Sequence, residues 1–202
     1  MMTDEFSDYF ATLATLPGAT EASDHTGPVP LEAALNGAIA LARTAHAGGR
    51  KLIFIGNGGS AGIASHMATD YSKNGGMRSL AFNDGSMLTC LGNDYGYEHV
   101  FAKQLEFHAV EGDLLIAISS SGRSPNILRA VEAARAIGCR ILTLSSFDAD
   151  NPLRRQGDLN LYVATSAYGF AEITHLTLCH AILDRAIAAA EASGKLHQRE
   201  VK

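Results

Sequence analysis

At 202 residues, with 47% apolar and 18% charged positions, the chain carries enough apolar side chains for one well-buried domain, and these values exclude a largely disordered polypeptide. A net charge of −5 argues against the basic stripe that a nucleic-acid backbone requires, so no direct nucleic-acid partner is expected. The N-terminus "MMTDEFSDYF" is acidic where a signal peptide is basic, and no apolar run approaches the ~18 residues of a membrane span, so a soluble cytoplasmic protein with no membrane partner is expected.

Residues 4–16 have helical spacing, with Phe6, Tyr9, Phe10 and Leu13 on one face. Residues 17–30, "PGATEASDHTGPVP", hold three of the five prolines and read as a loop. A second helix, rich in Ala and Leu, is predicted from about Leu31 to Ala47. These two helices precede any strand and suit a cap or an interface. Strand candidates then alternate with helices. The strands are Lys51–Ile55, Ser79–Phe82, Asp113–Ser119, Arg140–Ser145 and Asn160–Val163. The helices are Ser60–Ser72, Glu98–Ala109 and Pro125–Ile137, with a long last one from about Phe170 to Ala192. Runs such as "LLIAIS" and "ILTLS" are apolar throughout, as strands covered on both faces are. The expected fold is α/β, a three-layer αβα sandwich with a mostly parallel five-stranded sheet. The expected organisation is one domain over 1–202, made of an N-terminal helical extension (1–48), an α/β core (49–192) and a tail (193–202).

Ligands of such sheets bind beyond the carboxyl ends of the strands. Two polar stretches sit there. "GNGGS" (Gly56–Ser60) combines glycines, which let a ligand approach the backbone, with a following helix N-terminus. It lacks the Lys-Ser/Thr pair of a phosphate-binding Walker loop, and a plain strand–helix turn explains it equally well. "SSSGRSPN" (Ser119–Asn126) is the stronger signal. Ser124 suits the N-cap and Pro125 the first helical position, but a capping role leaves Ser119, Ser120 and Ser121 without a reason. Hydroxyls around free backbone N–H groups suit a phosphate.

Cys90, Cys139 and Cys179 are far apart and show no CxxC spacing, so they read as reduced, mostly buried thiols. His66 and Asp70, four apart on a helix, share a face. Glu172 and His180 stand eight apart on the last helix, which separates them by about 80° and about 12 Å along the axis. Two histidines and two carboxylates suit zinc or another divalent ion, although a single helix histidine is more often a core or surface residue.

In combination, "GNGGS" after one strand, "GND" at Gly92–Asp94 and "ISSSGRS" after another resemble the sugar isomerase (SIS) domain family, most closely its bacterial sedoheptulose 7-phosphate (phosphoheptose) isomerases. The resemblance runs from about Leu52 to Asp184 and takes in the N-terminal helices. It implies that Ser119, Ser120, Ser121 and Ser124 hold the phosphate of a phosphosugar, and that Asn57, Gly58, Gly59, Ser60, Asn93 and Asp94 line the sugar. It implies a zinc site inside the active site formed by His66, Asp70, Glu172 and His180, with Asp70 and His180 as base and acid of an aldose–ketose isomerisation. Asp70 stands where the family has Glu, Glu172 where it has Gln, and Gly169 where Asp is frequent. Asp70 is one methylene shorter, a change in reach of roughly 1 Å that can cost about a hundredfold in rate. Glu172 adds charge beside the proposed metal and is an alternative base. His175 matches a histidine common in the family and reads as a packing or interface residue. Relatives also act as non-catalytic phosphosugar-binding proteins, and one binds the bacterial replication initiator but lacks a histidine at the position of His180. The presence of both His66 and His180 therefore favours catalysis. The resemblance further implies a homotetramer with pockets at subunit boundaries, in which His66 and His180 could come from different chains.

Overall fold

The computed structural model describes residues 5–192. Residue 4 of the first predicted helix and the predicted 193–202 tail lie outside the described residues. In chain order the elements are α1 (Glu5–Thr15), β1 (Glu21–Asp24), β2 (Gly27–Val29), α2 (Leu31–Ala47), β3 (Leu52–Gly56), α3 (Gly59–Lys73), β4 (Ser79–Ala81), α4 (Gly85–Tyr95), α5 (Val100–His108), β5 (Leu114–Ser119), α6 (Pro125–Ile137), β6 (Arg140–Ser145), β7 (Leu159–Tyr162) and α7 (Tyr168–Ala192). Short 3-10 turns lie at Tyr97–His99 and Pro152–Arg155.

The five predicted strands form the parallel part of the sheet, β7-β6-β5-β3-β4. The sheet has seven strands rather than five, because the predicted loop over 17–30 contains a hairpin. β1 pairs antiparallel with β7 and with β2. The prolines that suggested a loop are compatible with this. β2 is the edge strand, and Pro28 on it needs no N–H toward solvent. Thr26 closes the turn by donating its N–H (2.7 Å) and its hydroxyl (2.6 Å) to Asp24, and these bonds hold the Asp24 carboxyl below its usual pKa.

Helix α4 is absent from the sequence-based expectation. "GSMLTCLGNDY" has two glycines and buries only Leu91, so neither propensity nor periodicity marks it. Asp84 starts it by accepting the Met87 N–H at 2.9 Å.

Alternate residues of each parallel strand feed opposite layers. Leu52, Phe54, Leu114, Ile116, Leu142 and Leu144 face α2, α3 and α7, while Ile53, Ile55, Leu115, Ala117 and Ile141 face α5 and α6. Both faces are dry, which explains the uninterrupted apolar runs. At the opposite end from the loops, buried Asp113 ties β3 to β5, accepting from the Lys51 N–H (2.9 Å), the Lys51 ammonium (2.6 Å) and the Val110 N–H (2.9 Å). The strand order reverses between β3 and β5, since β3 leads outward to β4 and the chain returns to β5 on the other side. That switch point puts the glycine turn after β3 next to the serine loop after β5.

Candidate active site

A cavity of about 240 Å³ opens at the switch point. Asn57, Gly58, Gly59 and Ser60 line it from the glycine turn, Ser119, Ser120, Ser121 and Ser124 from the serine loop, and Tyr168 and Glu172 from the start of α7. Asn93 and Asp94 are not in this lining. They sit exposed at the end of α4, where the Asn93 amide donates to Asp94 at 2.8 Å.

Three residues that sequence reasoning missed organise the rim. Buried Asn126 forms a reciprocal amide pair with Asn57, 2.9 Å in each direction. The Tyr97 hydroxyl adds a bond to Asn57 Oδ1 at 3.2 Å. These bonds lock the glycine turn to α6 and to the segment after α4. Tyr168 lines the mouth and meets Phe147 edge-on at 4.9 Å. Asn126 closes the motif "SSSGRSPN", and a polar residue in the first turn of an apolar helix is the one signal that marked it. Tyr97 and Tyr168 had none.

The two helix N-termini at the cavity are used differently. Gly58 has φ +54°, a conformation that glycine adopts without strain, and α3 starts there with no acidic residue in its own first turn. The Glu172 carboxyl from α7 packs against Gly59, and a β-carbon at position 59 would overlap it. Glycine at 59 is thus the condition for a carboxylate at the positive end of α3. At α6, Ser124 occupies the N-cap but its side chain makes no capping bond. Its hydroxyl instead lies 3.4 Å from that of Ser119. Ser120 is buried, and its hydroxyl has no partner among the described residues. Buried polar groups in a folded protein are almost always satisfied, so an orphan hydroxyl in a cavity wall points to a ligand. At the α6 terminus the cavity wall offers hydroxyls and no lysine or arginine.

Gly122 shapes that loop with φ +59°. Its N–H donates to the Ser119 carbonyl (3.0 Å) and hydroxyl (3.2 Å), and its carbonyl accepts from Leu153 N–H (3.2 Å). Asn151 braces it from behind. The Asn151 amide N–H₂ donates to Ser145 Oγ, Ser146 O and Asp148 O, and its Oδ1 accepts from Arg154 N–H.

Farther along α7, His180 meets α3. His66 Nε2 and His180 Nε2 are 3.3 Å apart, and Asp70 Oδ2 lies 3.5 Å from His66 Nε2 and 3.9 Å from His180 Nδ1. The ligand atoms of all three lie within 4.8 Å of one another. Two nitrogens each ~2.0–2.1 Å from a tetrahedral zinc ion stand roughly 3.4 Å apart, so the imidazole spacing fits such an ion. Three of the four predicted metal residues therefore come together, while Glu172 stands apart at the glycine turn. His66 and His180 meet within one chain, and the suggested sharing between subunits is not needed for this pair.

Cys139 and Cys179 are buried, and burial raises their thiols to about 11 and about 12, outside the reactive range. Cys90 is exposed, so two of the three thiols are buried, in line with the expectation of mostly buried thiols. Among the described residues no helix is long and apolar enough to cross a membrane.

His175 is fully buried, and desolvation lowers its pKa to about 4. Between pH ~6.5 and ~4 the unfolded chain binds a proton here that the folded chain does not, so stability falls as pH falls through that window. The expected loss is roughly 3 kcal/mol by pH 4, read by denaturant titrations. His175→Gln should flatten the profile by that amount.

Comparison with known proteins places these elements. Residues 28–146 match the SIS domain model. A phosphoheptose isomerase of Citrifermentans bemidjiense is 36% identical over 160 residues, which are 76% of this chain and 83% of that protein. One of Campylobacter concisus is 39% identical over 140 residues, 66% of this chain and 74% of that protein. The structure of phosphoheptose isomerase GmhA from Neisseria gonorrhoeae superposes with a TM-score of 0.77 at 28% identity, covering 92% of this chain and 99% of that one. The glycine turn, the serine loop, His66 and Asp70 all lie within the span that the domain model matches. The chain belongs to the SIS domain family.

Proposed function

We propose that the protein is an aldose–ketose isomerase that interconverts sedoheptulose 7-phosphate and D-glycero-D-manno-heptose 7-phosphate, in the cytoplasm, as a homotetramer, for surface-polysaccharide or glycoconjugate synthesis. The observation that carries this reading is the buried Ser120 hydroxyl, without a partner among the described residues, in the wall of a cavity that also holds a carboxylate, with two histidines and a second carboxylate at hand. The similarity to phosphoheptose isomerases supports the same substrate.

Ser119, Ser120, Ser121 and Ser124, with the α6 terminus, hold the phosphate. Asn57, Gly58, Gly59 and Ser60 bound the sugar chain, and Asn93 and Asp94 flank its outer side. First a carboxylate takes the proton from the carbon next to the carbonyl, giving the enediolate. Then an acid protonates the former carbonyl oxygen, the carboxylate hands its proton to the former carbonyl carbon, and the acid residue takes back the proton of the other hydroxyl, which becomes the aldose carbonyl. Glu172 and Asp70 are the carboxylates available for the first step and His180 is the acid for the second. His66, Asp70 and His180 fit zinc or another divalent ion, which Glu172 does not join. When bound, such an ion supplies Lewis-acid polarisation of sugar oxygens.

The test is turnover of sedoheptulose 7-phosphate by the purified protein, with zinc added and after chelation, followed by NMR of the product. Formation of the aldose that stops on chelation and returns with zinc is the expected result. Tight binding of the ketose phosphate without product in either condition would remove the isomerase reading.

A further inference from the structure

We propose that His175 is a positioning residue that holds the serine loop in register with the Glu172 carboxylate. The inference rests on the reading of the serine loop as a phosphate site.

His175 Nε2 lies 3.2 Å from the Ser145 carbonyl and 3.2 Å from the Ser146 hydroxyl. A carbonyl only accepts, so Nε2 carries the hydrogen and Nδ1 is left as an acceptor. Ser145 is the last residue of β6 and pairs in register with Ser119 of β5. The Ser146 N–H donates to the Ser120 carbonyl at 3.0 Å. The path from α7 to the orphan Ser120 hydroxyl is therefore one side-chain contact and one backbone bond long. His175 also sits three residues after Glu172, so one turn of α7 delivers the carboxylate to the glycine turn and the imidazole to the back of the serine loop. The distance between anion site and carboxylate is set through that turn.

The energetics argue against a packing role alone. His175 Nδ1 is buried with no partner among the described residues, as is the neighbouring Thr174 hydroxyl. An unsatisfied buried polar group is destabilising, and an apolar residue at 175 would avoid that cost. A protein that keeps imidazole there retains it for what Nε2 holds.

The experiment measures inorganic phosphate affinity by calorimetry and kcat/KM for sedoheptulose 7-phosphate in wild type, His175→Leu, His175→Gln and Ser146→Ala, with melting temperatures. Glutamine can place its amide near the Nε2 position. His175→Leu is expected to melt no lower than wild type at neutral pH, to bind phosphate about tenfold more weakly and to lose about a hundredfold in kcat/KM. His175→Gln should restore phosphate binding to within about threefold. Ser146→Ala, which carries the test if the leucine variant does not fold, should weaken phosphate binding about threefold. Wild-type phosphate affinity in His175→Leu and Ser146→Ala, or equal losses in the leucine and glutamine variants, would overturn the assignment. A wild-type protein that binds no phosphate would instead remove the underlying reading of the serine loop.

Discussion

Replacing His180 by glutamine is expected to reduce turnover at least about a thousandfold while leaving affinity for the phosphosugar within about threefold of wild type. General acid catalysis alone contributes about 10²–10⁴-fold, and the same substitution removes one of the two imidazoles of the metal-binding group. The affinity stays because the phosphate is held elsewhere. The serine loop lies beyond Glu172, about two helical turns from His180 along α7. Stability should change little, since the His180 side chain is 35% exposed and, among the described residues, bonds only within the cluster. Steady-state kinetics and metal analysis together check this. A variant that keeps a tenth of wild-type turnover with normal metal content would show that the cluster is not the chemical centre.

The second large effect is expected at Gly122, and it has the opposite kinetic signature. Gly122→Ala meets two penalties at once. A residue with a β-carbon at φ +59° costs roughly 1–2 kcal/mol. The added carbon also overlaps the Asn151 amide, and forced repacking of that kind costs about 1–3 kcal/mol. Relief must come from moving the loop, which pulls the Gly122 N–H away from Ser119 and displaces the Ser120 and Ser121 hydroxyls. Losing two or three hydrogen bonds to a charged phosphate at ~1.5–3 kcal/mol each predicts a rise in KM of at least about a hundredfold. The melting temperature should fall as well. Unchanged KM with lowered stability would mean that the loop is a structural turn only.

These two sites show what could be read from sequence and what could not. The strands were legible because their apolar runs are continuous, and each was placed within a residue or two of its position. The serine loop was legible because one capping residue cannot explain four serines. The hairpin of β1 and β2 was hidden by the three prolines of 17–30, of which only Pro28 lies in a strand, and its penalty vanishes on an edge strand. Helix α4 was hidden because it buries a single side chain. The glycine turn was only half legible. Its glycines suggested close approach by a ligand, but what approaches Gly59 is the Glu172 carboxyl, brought there by tertiary packing of α7 on α3. The same packing brings His180 to His66, which spacing along a single helix could not disclose. Local pattern marks the elements and their loops. The partnership between distant side chains appears only when the layers are assembled.

The most direct test of the account is hydrogen exchange at carbon. In D₂O the protein is expected to exchange a C1 hydrogen of sedoheptulose 7-phosphate and to place deuterium at C2 of the aldose, both followed by NMR. Bound ketose phosphate whose C1 hydrogens stay unexchanged over many hours with the metal present would contradict it, and would make the protein a phosphosugar-binding module.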